Sequence, residues 1–144
     1  MAVRRLSRRG KDSPIYEMRT RDILVRIIVS YLPDESRPEE GRWVWAYMAE
    51  IENHGAETVQ LVSRHWIITD AANVVEEVKG EGVVGEQPTL LAREAFRYTS
   101  GCALSTASGT MRGTYQMLTE AGVAFEAEIP EFSLHLPGAR RKMN

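Results

Sequence analysis

The sequence predicts an all-β domain, a sandwich or small barrel of about seven or more short antiparallel strands. Three observations carry that expectation. Apolar and polar side chains alternate with a period of two over most of the chain, turn residues cut the strand-like runs at regular intervals, and no window carries a convincing helical stripe. A chain of 144 residues fits one domain. A body of that size buries about two-thirds of its unfolded surface without metal or disulfide staples. The hydrophobic share of 43% and charged share of 26% exclude a disordered body.

The elements follow in order. Residues 23–32 (ILVRIIVSYL) are β-branched and aromatic and stop at Pro33-Asp34. The polar stretch 33–41 (PDESRPEEG) carries two prolines and reads as a loop. Residues 43–53 (WVWAYMAEIEN) and 58–69 (TVQLVSRHWIIT) flank His54-Gly55-Ala56-Glu57, the pattern of a β-hairpin with a four-residue loop. That register pairs Asn53 with Thr58 and sets Trp45 opposite Trp66 and Tyr47 opposite Arg64. One face then collects Trp43, Trp45, Tyr47, Ile51, Val62, Trp66 and Ile68 as core, while Glu50, Glu52, Ser63 and His65 take the wetter face. Further strands are expected at 74–79, 95–101, 110–119 and 123–129, with an extension at 132–136. Glu120-Ala121-Gly122 reads as a tight hairpin turn, and Pro130 suits an edge strand, where no ladder N–H is needed. Residues 89–97 (TLLAREAFR) are the one helix-tolerant segment.

Charge bounds the partners. The net charge of -2 hides five basic residues in the first eleven and three more at Arg140, Arg141 and Lys142. The body between them holds ten basic residues against twenty acidic ones. An acidic body is a poor surface for DNA, because phosphate binding needs clustered Lys and Arg. The expected organisation is therefore a basic flexible tail over 1–13, a domain over 14–137 and a basic flexible tail over 138–144. The N-terminus shows no apolar leader, and apolar runs are far too short to span a bilayer, so the expected setting is cytoplasmic, without membrane insertion.

The residues that resemble chemistry form no catalytic set. Gly80-Glu81-Gly82-Val83-Val84-Gly85 is a literal G-x-G-x-x-G, and the dinucleotide fingerprint needs a helix to follow it. Glu86-Gln87-Pro88 follows instead, and Glu81 and Glu86 would repel phosphate. The loop reads as a connector, or as a nest of amides for a small phosphate-containing ligand. His54, His65 and His135 lack metal-ligand spacing, and Cys102 is the only cysteine, so neither a cofactor, a metal nor a disulfide is expected. Glu76-Glu77 and Glu39-Glu40 are adjacent carboxylates without acid–base partners.

Several longer stretches resemble one family. They are Glu52-Asn53-His54-Gly55, Ser63-Arg64-His65-Trp66-Ile67-Ile68-Thr69-Asp70 and Gly82-Val83-Val84-Gly85-Glu86-Gln87-Pro88, together with Tyr98-Thr99-Ser100-Gly101 and Ile129-Pro130-Glu131-Phe132-Ser133-Leu134. In this order, from about Tyr16 to Leu136, they are similar to the ApaG family. Asn73 stands where that family usually turns on glycine, and Ala92-Arg93 replaces a common Pro-Gly. The resemblance implies an immunoglobulin- or fibronectin-III-like sandwich of antiparallel strands in two sheets. It further implies a link to cobalt resistance and magnesium efflux in bacteria, often beside a diadenosine-tetraphosphate hydrolase gene. Relatives in F-box proteins and a DNA-polymerase-delta-interacting protein imply protein contacts. The expected function is a non-catalytic interaction module whose unidentified protein partner binds the 80–88 and 99–113 loops. Self-association to a homodimer through a strand edge is compatible with it. The alternative is a small phosphate ligand held by Gly80, Gly82, Val83, Val84, Gly85 and Glu86.

Overall fold

A computed structural model describes the backbone of residues 4–8 and all of residues 14–138. The strands are β1 (Arg4–Arg8), β2 (Pro14–Thr20), β3 (Ile23–Tyr31), β4 (Trp43–Asn53) and β5 (Val59–Asp70). They continue with β6 (Val75–Glu81), β7 (Thr89–Leu90), β8 (Ala95–Leu104), β9 (Gly109–Thr119) and β10 (Ala124–Leu134). One sheet runs β1-β2-β3-β4-β8 and the other β10-β9-β5-β6, with β7 paired to β5. Every pairing is antiparallel. The two sheets stack face to face as a sandwich.

The expected hairpin between β4 and β5 does not form. β4 pairs with β3 and β8, whereas β5 pairs with β9, β6 and β7, so residues 54–58 carry the chain from one sheet to the other. Both strands present an apolar row, and burying row against row across the sandwich removes more apolar surface than edge-to-edge pairing would. Asn53, 2% exposed, makes the crossing workable. Its side-chain amide donates to the Glu57 and Leu90 carbonyls, and its Oδ1 accepts from the Gly55 N–H. Tyr47 and Trp66 therefore meet through the core, ring centroids 5.2 Å apart, rather than along a ladder. Trp45 instead packs on Tyr31 and donates its indole N–H to the His135 carbonyl at 2.9 Å.

The face assignment survives with one correction. Trp45, Tyr47, Ile51 and Trp66 are buried, and Trp43 and Ile68 pack against the core. Val62 does not join them: it is only half-buried, and Leu61 beside it is fully buried. The cause is a β-bulge. β5 pairs Leu61 with Met117 but Ser63 with Gln116, so Val62 has no partner of its own on β9. An extra residue flips the phase of a strand. Val59 and Leu61 point inward before it, and Trp66 after it.

The remaining expectations fall as follows. Gly122, at φ 87, turns the β9–β10 hairpin, and its N–H reaches the Thr119 carbonyl. Pro130 lies on edge strand β10, inside a register shift between Ile129 and Phe132. Residues 89–97 form β7, a turn and the start of β8 instead of a helix. Asn73 takes the left-handed conformation expected of it, at φ 67. Within the stretch expected to be a basic flexible tail, Arg4–Arg8 pairs with β2, which offers an otherwise open sheet edge; residues 1–3, 9–13 and 139–144 lie outside the described residues.

The bulge predicts a sharp contrast between neighbours. Leu61→Ala should cost about 2–5 kcal/mol by cavity formation. Val62→Ala should cost under about 1 kcal/mol. Urea midpoints of the two variants measure this, and equal losses would remove the phase flip.

Candidate functional site

The glycine loop is built as an anchor. Gly80 ends the inward row of β6 opposite Arg64, and a β-carbon there would overlap the guanidinium 2.6 Å away. Gly82 turns at φ 65, where an added side chain would strike the Glu86 carbonyl, so only glycine fits. Val83 is fully buried in the core. Val84 sits on the tip, exposed, at φ 40, an uncommon conformation for a β-branched residue, and Gly85 and Glu86 are exposed beside it. The Gly82 N–H donates to the Val62 carbonyl, and Val83 and Glu86 exchange N–H bonds with each other's carbonyls. Arg64 Nη1 donates to the carbonyls of Glu81 and Gly82. No helix follows Gly85. The Gly82, Val83 and Glu86 amides are thus turned to internal carbonyls, and Val84 and Gly85 form the exposed tip.

The stretch 99–113 is likewise no loop. It is the end of β8, a short turn at 105–108 and the start of β9. Its contribution is an open seam. β8 is the edge of one sheet and β6 the edge of the other, and both lie on the same side of the sandwich. The opposite side is bridged by β10, whose Glu128 N–H donates to Thr20 Oγ1 of β2 at 3.0 Å. Between β6 and β8 runs a cleft of about 260 Å3, floored by Tyr47, Trp66 and Met111 and walled by Arg64, Glu76 and Ser100.

Polar groups crowd under this seam. The Tyr98 and Tyr115 hydroxyls, on opposite sheets, are 2.7 Å apart, and Tyr47 interacts with Ser100 and Tyr98. Burial pushes all three phenols above the ordinary tyrosine range, so they stay neutral hydrogen-bonding groups. Burial first, then the nearby Glu76 carboxylate, pushes the Cys102 thiol up to about 11. It is no ready nucleophile. Trp66 Nε1 has no hydrogen-bond partner among the described residues although the atom is buried.

The other candidates are dispersed. His54 pairs with Glu52 at 2.8 Å, His65 with Glu77 at 2.7 Å, and His135 Nδ1 lies 3.1 Å from Ser133 Oγ. His65 and Arg64 face opposite sides of β5, as alternation requires: His65 borders a depression on the outer face and Arg64 the cleft. Glu50 and Glu52 are tied to Arg26 on the outer face of the first sheet. Burial raises the Glu50 pKa, but hydrogen bonds from Arg97 and Arg26 outweigh it and hold the carboxyl below its ordinary range. Among the described residues no group of three or more His, Cys, Asp or Glu could hold a metal ion. No helix among them is long and apolar enough to cross a membrane.

Sequence reasoning missed Glu76, Ser100 and Trp66 as members of one cleft. The available signal was that Arg64, Trp66 and Ile68 share a parity on β5, which placed an arginine in an otherwise apolar row.

Geometry and framework together define a two-sheet antiparallel β-sandwich, open along one side. The ApaG domain matches residues 33–119. Protein ApaG of Caulobacter vibrioides is 62% identical over 137 residues, covering 95% of this chain and 98% of that protein. Protein ApaG of Brucella anthropi is 54% identical over 130 residues, covering 90% of this chain and all of that one. Among solved structures, a Bordetella pertussis protein described as ApaA superposes with a TM-score of 0.80 at 48% identity, covering 82% of this chain and 96% of that one. The chain belongs to the ApaG family.

Two measurements test the site. Iodoacetamide should alkylate Cys102 in the folded protein with a rate that climbs about tenfold per pH unit above pH 8 and levels only near its thiol pKa of about 11. A plateau near pH 8.5, about that of a free thiol, would mean the burial is wrong. On titration with pyrophosphate or diadenosine tetraphosphate, the amide resonances of Gly80, Gly82 and Gly85 should stay in place. Saturable shifts there would make the loop an anion site.

Proposed function

We propose that this protein is a non-catalytic interaction module that receives an extended segment of a partner protein along the β6–β8 seam. The observation carrying this reading is the pair of edges left unpaired among the described residues on one side of the sandwich, flanking a cleft, while the other side is bridged. An edge strand presents free N–H and C=O groups that a second chain can complete. Val74 and Val75 at the start of β6 are 62% and 56% exposed, which adds apolar surface beside that edge.

The dispersal of the titratable side chains supports the same reading. His54 and His65 each pair with a carboxylate, Glu50 and Glu52 are tied to Arg26, and the Cys102 thiol is pushed up to about 11. The phosphate alternative has less support, because the Gly82, Val83 and Glu86 amides serve internal carbonyls. The link to cobalt and magnesium implied by the resemblance is proposed to run through the bound partner. A cytoplasmic setting belongs to the same proposal, in keeping with a lone, half-buried thiol.

Lysines at an edge discourage pairing. Val74→Lys with Val75→Lys should therefore abolish capture of a specific partner from lysate, while Leu118→Lys, on a different exposed site, should keep it. Equal recovery by all three forms, identified by mass spectrometry, would count against the seam. Loss of a sedimentation-detected dimer in the lysine variant alone would mean that the edge serves a second copy of this chain.

A further inference from the structure

A pocket of about 270 Å3 opens where the chain crosses from β4 to β5, and it shares no lining residue with the cleft under the seam. Buried Ile23 and Val59 give it an apolar floor, and Phe125 gives it an aromatic wall. Its walls are tied to one another. The His54 N–H of the crossing donates to the Asp22 carbonyl of the β2–β3 turn at 2.8 Å. The Glu120 N–H of the β9–β10 turn donates to the Thr58 carbonyl at 3.0 Å. Backbone bonds thus hold three separate segments in place, which spares a ligand the cost of ordering them.

Arg21 and Thr119 line this pocket, and each keeps a donor without an acceptor among the described residues. The Arg21 guanidinium lies over the Phe125 ring, 4.4 Å from its centroid. The neighbouring Asp22 carboxylate goes to Arg19 instead, at 3.7 Å. Thr119 is 5% exposed, and its Oγ1 accepts from the Val123 N–H at 3.0 Å, which leaves its O–H to donate. A guanidinium stacked on a ring keeps its planar fork of N–H groups oriented, and that fork matches a carboxylate. Arg21 also stands where the backbone favours another residue. It is the first of two residues between the paired Thr20 and Ile23, at φ 55, a conformation that suits glycine in so short a hairpin loop. A long cation kept at such a position points to work done by its side chain.

The lining sets the ligand. An apolar floor and an aromatic wall call for an apolar body, and two donors call for a pair of acceptor oxygens. Asp22 and Glu57 also line the pocket, so a second negative charge on the ligand is opposed. We propose that this pocket binds a small monocarboxylate carrying a branched or aromatic apolar group. The carboxylate accepts from the Arg21 guanidinium and the Thr119 hydroxyl, and the apolar group rests on Ile23 and Val59. A volume of about 270 Å3 suits one such group and little more. The same chemistry is offered by a free acid and by the last residue of a chain. The site stands apart from the seam and does not depend on what the seam receives.

The test reads the whole 144-residue protein by 15N-edited NMR. The probes are isocaproate, its amide isocaproamide, pyrophosphate, and the peptide acetyl-Ala-Thr-Leu with a free C-terminus. Isocaproate should shift the amides of Arg21, Ala56 and Phe125 saturably while those of Gly80, Gly82 and Gly85 stay in place. Isocaproamide and pyrophosphate should bind there at least tenfold more weakly. Tighter binding of the peptide than of isocaproate assigns the site to chain ends, and the reverse assigns it to free acids. Arg21→Gly should weaken isocaproate at least tenfold yet keep or raise the thermal midpoint, because glycine suits the turn. Thr119→Val should weaken it too, and Thr119→Ser should restore it. Silent amides around the pocket, equal affinity for acid and amide, or undiminished binding by Arg21→Gly would each overturn the inference.

Discussion

The bulge at Val62 is the constraint on which the rest of the molecule depends. One extra residue in β5 lets Leu61 and Trp66 both face the core, although they are five positions apart in a strand that alternates every two. The same irregularity lets the Val62 carbonyl accept from the Gly82 N–H at 2.8 Å and from the Gln87 side-chain amide at 2.8 Å. Those two bonds draw the glycine-rich turn against the sheet and seat Val83 in the interior. After the bulge, Arg64 and Trp66 share the inward phase, so an arginine and an indole arrive side by side at the open flank. Core, loop and cleft all follow from one unpaired residue.

How much of this was legible in the sequence depends on range. Runs such as 23–31 and 110–119 carry their own alternation, and a turn such as Glu120-Ala121-Gly122 carries its own glycine, so strands and the last hairpin could be read locally. Pro130 announced an edge because its missing N–H cannot serve an inner ladder. The β4–β5 relation could not be read that way. A short polar loop serves equally to join neighbours in a sheet or to pass between sheets, and the apolar rows are the same in either case. Only the buried Asn53, whose side chain ties the crossing to β7, decides between them. The bulge was hidden because Leu61 and Val62 are both apolar, leaving no polar residue out of place.

The cleft was illegible for a different reason. Its members come from β4, β5, β6, β8 and β9, and no two of its charged residues are near in sequence. The glycine motif attracted attention because it is contiguous, yet its glycines answer to steric demands: the Arg64 guanidinium beside Gly80 and the Glu86 carbonyl beside Gly82. Motif spacing reports backbone crowding there.

The hydroxyl pair of Tyr98 and Tyr115 spans the sandwich, one phenol from each sheet, with Tyr47 at its flank. Tyr98 is the shared partner of Tyr47 and Tyr115, so loss of its oxygen alone strands Tyr115 in a dry interior, whereas Tyr47 keeps Ser100. Phenylalanine at 98 alone is a poor single step, whereas phenylalanine at both 98 and 115 strands neither. A core without the Tyr98 oxygen is therefore drier at 115 as well, because the two hydroxyls on facing sheets answer each other across the sandwich.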